Sequence, residues 1–360
     1  MRCLIPMVSF VLAVPASGAI VRRHDVSDAS LVEAGARFGS VCTVAGDGEG
    51  TLIADRWVLT AAHVAADLPP FGASVRFGDA TAPILGVVLH PEGQAPPGMP
   101  PEVDLALLLL GETPRDIAPS PIYRDEGEPG SVAWLVGAGD FGTPDQVEAT
   151  DRVRRAGTNV IDDVGPVRIF MRFDAPPGGT PLECVSGPGD SGGPAFIDVG
   201  GVMHVAGVSS AASGGRPGSY GVREAYARVG TQQGWIDATI ESGAAPPLAS
   251  GVRIDLAAQG WPATRAAALA TEWIRLMDAG EWAPMGEYDR ANRPPDVLAS
   301  RPEAQREATF LARAREWGRV EALAAVEEPD ALWVLVRTER AGCRALRFIL
   351  TPRGRLEGVL

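Results

Sequence analysis

Lysine is absent from all 360 residues, so arginine carries every permanent positive charge, and 45 acidic side chains against 32 basic ones leave a formal charge of −13. Without lysine the Gly-x-x-x-x-Gly-Lys phosphate loop cannot be built. Without a basic stripe the chain is no general nucleic-acid binder, because neutralising phosphates takes clustered cations. The arginine-only usage reads as compositional bias. Cysteine is scarce: Cys3, Cys42, Cys184 and Cys343 include no close-spaced pair and no histidine cluster stands beside them, which excludes the common zinc frameworks. No metal and no cofactor is expected. Long apolar runs are missing beyond the first residues. The densest, "LALLLL" at Leu105 to Leu110, falls far short of the about 20 residues that cross a bilayer, so no membrane span is expected.

What is present is an ordinary globular balance, 46% hydrophobic and 21% charged, in a chain long enough for two domains. The opening "MRCLIPMVSFVLAVPASGA" sets one arginine before an apolar run and ends in small residues, as a secretory signal peptide does, with a cut after Ala19. The product is expected to be soluble and exported, secreted or periplasmic. Removing Cys3 leaves three cysteines, enough for one disulfide and a leftover thiol; which pair closes is not legible.

From Val41 to Val229, runs such as "VCTVA", "RWVLT", "ILGVVL", "VAWLVG" and "VMHVAGVSS" are broken by Gly, Pro and Asp, the pattern of an antiparallel sandwich or barrel. No crossover helices separate them. "TQQGWIDATI" at Thr231 to Ile240 predicts a short closing helix. The stretch 242–252 reads as a linker. Beyond it, 253–360 predicts a compact α+β unit: a helix with Leu269, Trp273, Ile274 and Met277 on one face, Pro262 in its first turn and Gly280 at its stop. A second helix is predicted over Glu303 to Trp317, then strands at "ALWVLVRT", "CRALRFIL" and "RLEGVL" with a turn at "TPRG". Trp273, Trp282 and Trp333 are read as core. By element order alone this unit looks like the cystatin-like or nuclear-transport-factor-like cone folds, and no partner for it can be named.

"GPGDSGGP" at Gly187 to Pro194 encloses one hydroxyl in a permissive backbone. It could be a surface turn, a phosphate cradle or a nucleophile held up for attack. A serine hydroxyl is a weak nucleophile until a base can take its proton, and the base needs a third group to orient it. His63 in "WVLTAAHV" and Asp104 in "EVDLALLLL" are candidates, an imidazole among small residues and a carboxylate at the mouth of an apolar strand. His24, His90 and His204 read as ordinary loop or strand histidines, and Glu183 and Asp198 as solvated carboxylates. The α/β-hydrolase elbow, Gly-x-Ser-x-Gly, also fits "GDSGG", but its order Ser, acid, His would leave only His204 as base, with no parallel sheet to hold it.

"TAAH" with His63, "DLALL" with Asp104 and "GDSGGP" with Ser191 resemble the three signature segments of the chymotrypsin-like serine proteases, the trypsin family in the broad sense, of the bacterial secreted type. "LHPEG", "VGAGDFG" and "AGVSSAAS" echo further segments of that family. The resemblance covers roughly residues 20–240. It implies a mainly β fold of two antiparallel six-stranded barrels over residues 20–241, followed here by the α+β unit. It implies a serine endopeptidase acting on protein or peptide substrates: Ser191 attacks, His63 is general base and acid, Asp104 orients it, and the amides of Gly189 and Ser191 form the oxyanion hole. It implies a substrate pocket with Val185 at its base, where trypsin has aspartate, Ser210 along its side, and Glu224 near its base to accept Arg or Lys. It pairs Asp190 with a new N-terminus at Ile20, which signal cleavage would itself expose; Arg22 and Arg23 offer a dibasic alternative. Val64 stands where vertebrate members carry a cysteine, so the disulfide bracing that loop is absent. The other reading is a catalytically silent binding or adhesion module on the same fold.

Overall fold

The structure, a computed structural model, describes residues 20–359 except 46–47, 95–100, 149, 188, 217, 249–252 and 330. The expected signal peptide, 1–19, and part of the expected linker lie outside the described residues.

A two-residue strand, β1 (Val21–Arg22), leads into α1 (Asp28–Gly35), which Ser27 caps by accepting the Ser30 amide. Six strands then close the first barrel: β2 (Val41–Val44), β3 (Gly48–Ala54), β4 (Trp57–Thr60), β5 (Ser74–Phe77), β6 (Ala80–Leu89) and β7 (Ala106–Leu110). They are hydrogen-bonded in the order β2-β3-β4-β7-β6-β5, every pairing antiparallel. Closure leaves no edge strand exposed. β7, "ALLLL", is buried at every position. Its register with β4 places Ala106 opposite Thr60. The end of β4 therefore lies beside the start of β7. The helical turn α2 (Ala62–Ala66) begins there and carries His63.

The second barrel closes in the order β11-β12-β16-β15-β14-β8. Its strands are β8 (Val132–Gly137), β11 (Arg155–Val164), β12 (Arg168–Arg172), β14 (Pro194–Val199), β15 (Val202–Ser213) and β16 (Arg223–Arg228). A side sheet holds β9 (Phe141–Thr143), β10 (Gln146–Glu148) and β13 (Cys184–Val185) with the N-terminal strand, in the order β10-β9-β1-β13. Two closed antiparallel barrels make this a chymotrypsin-type, mainly β fold. The closing helix, α3 (Gln233–Ser242), ends on Gly243 in the left-handed region.

The chain divides into two compact units, residues up to 246 without 69–73, and residues 247–360 with 69–73. In the second, β17 (Arg253–Asp255) and α4 (Leu256–Gln259) precede α5 (Arg265–Ala279), α6 (Trp282–Asn292), α7 (Pro295–Ser300) and α8 (Glu303–Trp317). Then β18 (Val320–Glu327), β19 (Ala331–Thr338), β20 (Gly342–Leu350) and β21 (Leu356–Val359) complete an antiparallel meander. Leu269, Trp273, Ile274 and Met277 are buried in one core with Leu332, Val334 and Phe348. Gly280 stops α5 as expected, but Pro262 lies outside it. Thr264 is the N-cap, accepting the Ala267 amide.

Candidate active site

His63 Nδ1 lies 2.7 Å from Asp104 Oδ2, and the His63 backbone amide donates to Oδ1 at 3.0 Å. Both bonds follow from the β4–β7 register, which brings segments 41 residues apart to one corner of the first barrel. The Ser210 hydroxyl donates to Asp104 Oδ2 at 2.6 Å. Ser210 comes from the second barrel, where a register shift between Ser209 and Ala211 interrupts the β15–β16 ladder. A bulge re-aims the side chain it carries. Burial pushes the Asp104 carboxyl upward, but the bond and charge of His63 and the Ser210 bond outweigh it and hold the group below the usual carboxylate range. Burial likewise pulls the His63 imidazole down, and the Asp104 bond and charge overcome it, leaving His63 above its ordinary value.

The Ser191 loop is fixed from both sides. Its carbonyl accepts the Glu49 amide at 2.7 Å, while Gly192 N donates to Ser209 O and Ser209 N to Gly193 O. Gly192 sits at φ +83°, and a Cβ there would come within 2.3 Å of Glu49 O and of Thr60 Oγ1, so only glycine fits. Gly189 is at φ +96°. The Ser191 amide has no acceptor among the described residues. A Cβ on Gly48 would lie 2.5 Å from Val64 and 3.3 Å from the Ser191 carbonyl oxygen. The residue after His63 and the serine loop thus approach the same glycine. Among the described residues the Ser191 hydroxyl makes no hydrogen bond, to His63 or to any other group.

Glu224 is buried. Its carboxylate accepts the Ser186 amide at 2.9 Å and the Ser186 hydroxyl at 2.6 Å, with the Tyr226 hydroxyl at 3.5 Å. Burial raises its pKa to about 7 against these bonds. Val185 is buried in a small cluster with Val21, Phe173 and Val222. It is the next residue, Ser186, that touches Glu224. Asp190 is also buried. Its oxygens accept the Gly139 and Gly187 amides at 3.2 and 3.1 Å, and burial, reinforced by the nearby Glu224 and Asp140 charges, pushes it well above the carboxylate range despite those bonds. Ile20 is buried and Val21 pairs with Val185 and with Gly142. In the full chain Ile20 carries an amide to Ala19 rather than an ammonium.

The other histidines lie in local contacts: His24 Nδ1 at 2.6 Å from Tyr220 OH, His90 edge-on to Trp235, His204 against Val202 O. Glu183, expected to be solvated, is buried instead and accepts from Thr180 and Asp174, an arrangement that local turn chemistry hides from sequence. Ser186 and the Ser210–Asp104 bond were not legible either, since serine is common and its partner is set by a bulge. All three described cysteines are unpaired, Cys42 and Cys184 buried and Cys343 exposed. Among the described residues no cluster of three His, Cys, Asp or Glu is placed to hold a metal, and no helix is long and apolar enough to cross a membrane.

A family model described as Trypsin matches residues 37–236, more than half of the chain. Similar solved structures include neuropsin, a serine protease expressed in the limbic system of mouse brain. It is 19% identical over 61% of this chain and 98% of its own, with a TM-score of 0.48. Another is an atomic-resolution structure of HBP, 20% identical over 59% of this chain and 96% of its own, with a TM-score of 0.45. No curated protein sequence matches the chain.

Proposed function

The chain belongs to the trypsin family of serine proteases, and from that membership we propose an exported endopeptidase that cleaves peptide bonds through Ser191, His63 and Asp104. The observation that carries the reading is the 2.7 Å contact of His63 Nδ1 with a buried carboxylate that Ser210 also binds. With Nδ1–H given to Asp104, the lone pair rests on Nε2. That atom takes the Ser191 proton as Oγ attacks the carbonyl carbon, then returns it to the departing amine. Asp104 stabilises the imidazolium in between. The Gly189 and Ser191 amides receive the negative oxygen of the tetrahedral intermediate; losing one such donor costs roughly 3–4 kcal/mol. Water, activated by the same Nε2, releases the acyl group from Ser191. The Ser191–His63 hydrogen bond forms when substrate enters, as apo sites commonly leave it open.

Removal of residues 1–19 supplies an ammonium at Ile20. A buried ammonium needs a carboxylate, and Asp190, buried with backbone amides as its only donors among the described residues, offers one. Glu224, at the base of the substrate pocket with Ser186, favours an arginine or lysine before the cut. The test is a phosphonate probe on the secreted protein, read by intact mass. Expected are one adduct on wild type, none on Ser191→Ala, and a chain that starts at Ile20. A wild type that stays unlabelled would make this a binding module on a protease fold, and a different first residue would remove the ion pair.

A further inference from the structure

Arg155 is fully engaged, bound to both oxygens of Asp28 and of Asp151. Among the described residues, its neighbours Arg152 and Arg154, and Arg76 on β5, form no salt bridge with a carboxylate. They meet instead around a cavity of about 130 Å³, many times what one water needs by the same measure, roughly 10–15 Å³. Three guanidiniums in one place repel one another, and the single carboxyl beside them, Glu49, feels the Arg154 and Arg76 charges without a hydrogen-bonded ion pair to either among the described residues. Among the described residues Arg76 and Arg154 give only backbone bonds, to Gly78 O and Val41 O. Arg152 holds a left-handed backbone, φ +61°, which L residues rarely adopt.

Glu49 lines the same cavity and is buried, 1% exposed. One carboxyl oxygen accepts the Ala138 amide at 2.9 Å; the other has no hydrogen-bond partner among the described residues. Burial and the nearby Asp190 push Glu49 above the usual carboxylate range, against the pull of the Ala138 amide and of the Arg154 and Arg76 charges. Three guanidiniums in the lining make the cavity hostile to a cation.

We propose that this cavity binds a small oxyanion, the carboxylate, phosphate or sulfate group, through Arg76, Arg152 and Arg154. The site goes beyond the proteolytic reading and does not depend on it. It stands one residue from the nucleophile loop, because the Glu49 amide is the donor that holds the Ser191 carbonyl. An anion there steadies the segment from which both that amide and the Ala138 contact arise.

The test is thermal unfolding of the secreted protein titrated with sodium sulfate, phosphate or acetate against sodium chloride of equal ionic strength. The expected result is a saturable rise in Tm, roughly 3–6 °C at ten times the dissociation constant. Arg152→Gln, at an exposed position, and Arg76→Gln each weaken the apparent affinity at least tenfold, the double variant abolishes the rise, and Arg124→Gln, an exposed arginine paired with Asp237, keeps it. Acetate acting as well as sulfate identifies a peptide carboxylate as the natural occupant; the tetrahedral anions acting alone identify a free ion. A rise no larger than that of chloride, or one undiminished in the folded double variant, overturns the proposal.

Discussion

Two buried carboxylates show how a single neighbour decides the charge of a group. Asp104 is out of water yet stays ionised, because an imidazole that can become a cation donates to it. Glu224 is equally buried and has only neutral donors, so burial wins and its pKa rises to about 7. The sign of the consequence is fixed: below that value Glu224 is neutral, above it anionic. If Glu224 receives the side chain before the cut, the preference for arginine over leucine there increases several-fold from pH 6 to pH 8, and Glu224→Gln flattens it. The ratio of kcat/KM for the two peptides cancels the titration of His63, which both share. A flat ratio in the wild type would remove Glu224 from the pocket. At this scale sequence reveals motif residues such as His63, Asp104 and Ser191, whose context is unusual. It hides Ser186, and it hides the bond from Ser210 to Asp104, which a backbone irregularity in β15 sets up.

The elements that position the site are tied by backbone more than by side chains. β3 holds the serine loop through one amide, β15 through two hydrogen bonds, and Gly192 lets the loop pass against Glu49 and Thr60. Gly192→Ala places a methyl at 2.3 Å from two oxygens at a φ hostile to side chains. Strain and overpacking together cost about 3 kcal/mol, expected as a fall in Tm of roughly 6 °C or more with loss of hydrolysis. An unchanged Tm would mean that the loop is not clamped in this way. The strands with clean apolar runs, β4, β8 and β19 among them, were readable in the sequence. β11 was not, because "RAGTNVIDDV" mixes Gly, Asn and Asp into a buried strand whose pairing comes from β8 and β12. α6 was missed for a related reason. Pro284 and Gly286 sit inside it and mask its period, and the packing of Met285 and Tyr288 into the core sustains it instead.

At the scale of the molecule, the groups proposed for catalysis come from two barrels. The first supplies His63 and Asp104, the second Ser191 and Ser210, and the Ser210–Asp104 bond crosses from one to the other. Barrel closure and the β4–β7 register set His63, in the turn after β4, beside Asp104, just before β7, while Ser191 lies in the loop before β14. The second unit contributes none of these groups, and its buried tryptophans are accounted for by packing. In the proposed mechanism His63, oriented by Asp104, turns Ser191 into a nucleophile. The most direct measurement is to quench the secreted protein with a slowly hydrolysed ester substrate and map the acyl group by mass spectrometry. The prediction is an acyl group on Ser191 in the wild type and none in His63→Ala; an acyl group elsewhere, or one on Ser191 that forms as fast without His63, would contradict it.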